Sequence, residues 1–82
     1  MKIKVKYFGI PMANLGPEAN CLELPADATV EQLLYLISAK MEDQDKELLD
    51  AATFMVNRTR AKKHTVLTDG DEVVIMYLLA GG

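Results

Sequence analysis

The chain ends Ala80-Gly81-Gly82, and this end offers a terminal carboxylate on backbone almost bare of side chains. A free carboxylate is unreactive toward nucleophiles, so it can serve only as a group that something else activates. Two glycines suit such a role: without Cβ they can enter a narrow channel and take backbone angles closed to other residues. Fully extended, Leu79 to Gly82 would reach about 13 to 14 Å from a folded body.

Other chemistry-bearing residues are sparse. His64 is the only histidine and has no nearby cysteine or acidic cluster at metal-ligand spacing, so it reads as a solvated loop residue. Cys21 is the only cysteine; it lacks a local basic partner and is expected to be a packing thiol, buried or on an edge strand. Asp43-Gln44-Asp45 resembles half a calcium loop but lacks the glycine and spaced glutamate that complete one, and no metal site is expected. Asn57-Arg58-Thr59 matches a glycosylation acceptor by chance, since no secretory signal accompanies it.

The 82 residues allow one domain, 1–82, with one core and little room for a deep cofactor cavity. A net charge of −3 argues against a general nucleic-acid binder, which shows a basic face. A single cysteine and an N-terminus alternating Lys2, Lys4 and Lys6 with Ile3 and Val5 suit a reducing, cytoplasmic setting with neither export signal nor membrane span.

The elements that must position the tail follow from periodicity. Ile3, Val5 and Tyr7 alternate with Lys2, Lys4, Lys6 and Phe8, the period of a strand with one buried face. Gly9, Pro11, Asn14, Gly16 and Pro17 demand a loop, and a second strand follows near Asn20 to Leu24. Thr29 and Gln32 form a capping box that opens a helix, with Val30, Leu33, Leu34, Ile37 and Met41 on its apolar side. Met41 to Asp50 is strongly acidic and is expected to be an exposed connection, with at most a short helical turn and little core. Thr53 to Val56 is a third strand, a turn at Asn57 leads to a short fourth, and Asp69-Gly70 turns the chain into an apolar run, Val73 to Leu79. The tail, about residues 79–82, should project into solvent as a mobile end.

This order predicts an α+β, ubiquitin-like β-grasp. Its mixed four- to five-stranded sheet has parallel first and last strands at the centre and one main helix packed on one face.

The segments Leu67-Thr68-Asp69-Gly70-Asp71-Glu72-Val73, Thr29-Val30-Glu31-Gln32-Leu33 and Val56-Asn57, with terminal Gly81-Gly82, together resemble the MoaD/ThiS-like sulfur carriers of molybdopterin and thiamine biosynthesis. The molybdopterin branch, the small subunit of molybdopterin synthase, fits best. Tyr77-Leu78 stands where many relatives have Pro-Pro, and Arg60 where they carry an apolar contact residue.

The resemblance implies a carrier that is not catalytic alone and binds no cofactor. An E1-like adenylating enzyme of MoeB/ThiF type would use ATP to make an acyl-adenylate at Gly82. A persulfide or sulfide would then displace AMP, and the resulting thiocarboxylate would give its sulfur inside a large MoaE-type subunit of molybdopterin synthase or another sulfur-accepting enzyme. Related possibilities are a carrier for the thiamine pathway or another metabolite, and a protein modifier conjugated to lysines. Both partners would need a docking face opposite the helix. With Phe8 pointing outward, alternation sets either Val74, Met76 and Leu78 or Val73, Ile75 and Tyr77 beside it; the first set is preferred, and the resemblance adds Arg60 as a partner-binding candidate. Against this stands simple burial, since a central strand can be covered on both faces.

Overall fold

The computed structural model describes residues 1–9, 20–41 and 43–77. The elements are β1 (Lys2–Phe8), β2 (Cys21–Glu23), α1 (Val30–Ser38), α2 (Asp43–Asp50), β3 (Thr53–Val56), β4 (Thr59–Ala61) and β5 (Glu72–Met76). Most of the loop after β1 and residues 78–82 lie outside the described residues, and with them the expected mobile tail.

The strands form one sheet in the order β2-β1-β5-β3-β4. β5 runs parallel to β1, and the remaining pairs are antiparallel. This is the expected β-grasp. Placing the last strand between β1 and β3 satisfies its backbone on both sides, which an apolar strand needs.

Alternation on each strand sends one set of side chains beneath the helices. Ile3 and Val5 of β1, Leu22 of β2, Phe54 of β3, and Val73 and Ile75 of β5 are buried with Val30, Leu33, Leu34 and Ile37 of α1. Burying each large side chain contributes about 1.5 to 3 kcal/mol. Tyr7 packs half-buried against the same cluster, and desolvation pushes its phenol up to about 12.

α1 starts where its capping box requires. The Thr29 hydroxyl accepts from the Gln32 N–H at 3.4 Å, and the Gln32 side chain accepts from the Thr29 N–H at 2.8 Å. Met41, expected on the helix, lies beyond its last residue yet still packs on the core.

The acidic connection differs from expectation. It forms α2, two turns long, and buries Leu49 to 4% exposure in the main core. Asp43 at its first turn meets the positive end of the helix dipole and pairs with Lys46 at 3.2 Å. Leu49 thus ties to the core a helix whose composition is largely that of a solvated segment.

The entrance to β5 is a polar seam. The Lys2 N–H donates to Asp69 Oδ1 at 2.7 Å and the Gly70 N–H to the Lys2 carbonyl at 2.8 Å, with Gly70 at φ +85°. Buried Asp71 accepts from the Thr68 N–H and hydroxyl at 2.8 and 3.1 Å and from Asn57 Nδ2 at 2.8 Å. Desolvation alone would raise this carboxyl, but those hydrogen bonds outweigh it and hold it below the usual range. Asn57 also accepts from the Glu72 N–H at 3.0 Å, so the β3–β4 turn and the start of β5 are tied together. In that turn Asn57 and Arg58 both take positive φ, 51° and 69°, as a two-residue hairpin of the primed type requires.

Candidate functional site

The residues not sent toward the helices make the sheet's other face. In β1 these are Lys2, Lys4, Lys6 and Phe8, and in β5 they are Glu72, Val74 and Met76. Register aligns them across strands: Lys6 lies beside Val74, Val74 beside Met55 of β3, and Met55 beside Arg60 of β4. The next row sets Phe8 beside Met76 and Met76 beside Thr53.

Phe8 is 54% exposed and Arg60 is also exposed, whereas Val74, Met76 and Met55 are half-buried. The competing placement, with Val73 and Ile75 outward, is excluded because both are fully buried. Met76 is not core either: it occupies the face opposite α1 and keeps part of its surface. Leu78, Ala80, Gly81 and Gly82 lie outside the described residues. Met55 was not singled out from sequence, yet the signal existed: once Phe54 is assigned inward, period two sends Met55 outward.

The chain leaves β5 beside this patch. The Tyr77 N–H donates to the Phe8 carbonyl at 2.9 Å, extending the parallel ladder by one bond. Gly9 makes this closure possible, with φ +75° and a position where a Cβ would lie 2.0 Å from the Tyr77 carbonyl oxygen. The last described residue is thus held at the end of the sheet where Phe8 and Met76 sit.

Charge frames the apolar centre. Lys6 pairs with Glu72 at 3.5 Å on the face itself. The acidity shifts of Tyr7 and Asp71 come from packing and from the polar seam rather than from a reactive cluster. Among the described residues no group of three His, Cys, Asp or Glu side chains could hold a metal ion, and no helix is long and apolar enough to cross a membrane. His64 is exposed after β4. Cys21 corrects the expectation of a packing thiol: it is on an edge strand but exposed, because Leu22 takes that strand's inward position.

A model of the ThiS family matches residues 5–82. No curated protein matches the chain. Among solved structures, a Pyrococcus furiosus protein assigned as subunit 1 of molybdopterin converting factor is 26% identical, with TM-score 0.73 over 96% of this chain and 99% of that one. SAMP1 of Haloferax volcanii shares the fold at 23% identity and TM-score 0.72, with each chain covered completely. Similar too, at 21% identity and TM-score 0.62 over the full length of both chains, is a structure of the complex of subunits 1 and 2 of molybdopterin-converting factor from Helicobacter pylori.

Proposed function

The chain belongs to the ThiS family of small, ubiquitin-like carriers and modifiers, which are not catalytic alone, and on that premise we propose that it carries sulfur on Gly82 for molybdopterin biosynthesis. The observation that carries this reading is the extent of the family match, which runs through the glycine pair to residue 82. The likeness to the Pyrococcus furiosus protein supports the molybdopterin branch, and the Helicobacter pylori complex supports a large-subunit partner.

In the proposed cycle an E1-like enzyme binds the sheet's outer face while the tail enters its active site. A Gly82 carboxylate oxygen attacks the α-phosphorus of ATP and pyrophosphate leaves, giving the acyl-adenylate. Sulfide attacks the acyl carbon and AMP leaves, giving the thiocarboxylate. The tail then enters a sulfur-accepting large subunit, docked on the same face through Phe8, Val74, Met76 and Leu78. The fold supplies the docking body and the exit direction, and the reacting atoms belong to the backbone end.

Mass spectrometry of the protein isolated from its own host should find a fraction heavier by one oxygen-to-sulfur exchange. Its persistent absence while both partners are active would sink the carrier role. Lysines bearing a Gly-Gly remnant in a digest of host proteins would instead assign the chain as a modifier. Deleting Gly82 should abolish sulfur transfer and leave the melting temperature nearly unaltered, since a terminal glycine brings no side chain to a core.

A further inference from the structure

The chain as a whole is acidic, with 12 Asp and Glu against 9 Lys and Arg. Its outer sheet face inverts that balance. The outward positions hold Lys2, Lys4, Lys6 and Arg60 against only Glu23 and Glu72. The acid excess lies elsewhere, on Glu31 of α1 and on Asp43, Glu47 and Asp50 of α2.

One row of this face has a distinct pattern. Lys6, Val74, Met55 and Arg60 are neighbours on four successive strands, so the row reads cation, apolar, apolar, cation. Three strand spacings separate the two cations, about 14 Å. They are not equivalent. Lys6 already pairs with Glu72 at 3.5 Å, whereas Arg60 enters no ion pair among the described residues.

Interface size makes this consequential. A standard docking surface of about 800 Å² per partner is a disc of roughly 16 Å radius. Arg60 is two strands, about 10 Å, from Val74, so a disc centred on Val74 and Met76 covers it. A covered guanidinium without a counter-charge costs several kcal/mol, enough to cancel the gain from the apolar centre. A surface that fits this face must supply the missing charge.

We propose that the adenylating enzyme that receives this chain sets a carboxylate against Arg60, beside an apolar depression that takes Phe8, Val74, Met55 and Met76. Arg60 is then a specificity-determining residue: its planar fork selects a carboxylate held in fixed geometry, and it disfavours a partner presenting an apolar or cationic group there. The proposal rests on the carrier reading, because an adenylating enzyme is the partner to be tested.

The test is ATP-dependent adenylation of the full chain by the host's own E1-like enzyme, with KM for the carrier measured across ionic strength. Arg60→Glu should raise KM by about tenfold or more and Arg60→Gln by several-fold, both with kcat within about twofold of wild type. Arg60→Lys should recover part of the loss, and the salt dependence of KM should flatten in Arg60→Gln. Lys40→Glu, the same charge change on the helix side, should leave KM unchanged, and circular dichroism checks that each variant is folded. If Arg60→Glu and Arg60→Gln shift KM no more than Lys40→Glu does, no carboxylate faces Arg60 and the proposal is overturned while the carrier role stands. If wild-type chain is not adenylated at all, the carrier reading fails, and the proposal with it.

Discussion

The two faces of the sheet are built from the same strands, yet they obey different rules. On the inner face Ile3, Val73 and Ile75 are fully buried and Phe54 is 6% exposed, each enclosed by the helices. On the outer face their immediate neighbours Val74, Met55 and Met76 are half-buried, and Phe8 is mostly exposed. A strand's period of two lets one residue serve the core while the next serves a partner. Stability and the proposed docking can therefore be changed separately, one position apart.

The sharpest check on this contrast is a pair of truncations on β5 and β1. Ile75→Ala removes a fully buried side chain and should destabilise the fold by about 3 to 4 kcal/mol in chemical denaturation. A loss under about 1 kcal/mol would show that the inner face is far looser than its burial indicates.

The polar seam should rank second. Asp71→Ala leaves Asn57 Nδ2 and the Thr68 N–H without their partner and should cost about 2 kcal/mol. The seam also has a pH signature. Because the folded carboxyl lies below its ordinary value, its stabilisation is fully present above the unfolded pKa of about 4 and is lost as pH falls through the folded one. Denaturation midpoints followed from neutral to acid pH should therefore fall more in wild type than in Asp71→Asn. Parallel curves would mean that other carboxylates carry the acid response.

Smallest in its effect on the fold is Phe8→Ala, on the outer face at the end of β1. It should shift stability by less than about 1 kcal/mol but weaken partner binding by about 2 kcal/mol, as for a truncated interface hot spot. Calorimetry with the adenylating enzyme reads the second number. A variant that loses stability but not affinity would reverse the roles assigned to the two faces.

Local signals were legible where they were self-contained. Thr29 and Gln32 mark the start of α1 because a capping box closes within one turn. Ile3, Val5 and the Asp69-Gly70 turn mark β1 and the entrance to β5 for similar reasons. α2 was missed because its docking rests on Leu49, whose burial depends on where α1 and the sheet lie rather than on the acidic residues around it. The edge-strand place expected for Cys21 holds, but its exposure does not follow from sequence, because a three-residue strand carries too short an alternation to show which side faces in.

The sequence by itself determined the alternation of β1, the start of α1 and the Asp69-Gly70 turn into β5, since each depends on residues close together in the chain. Only the tertiary structure decided which neighbours the alternation would find. The pairing of Met55 with Val74, the closure of Gly9 on Tyr77, and the tie from Asn57 to Asp71 all join segments whose register is set by packing across the sheet. A one-residue slip would have turned every one of those side chains to the other face. The Gly81-Gly82 pair is plain in the sequence, but the face beside which the chain leaves β5 exists only once β5 has slotted between β1 and β3.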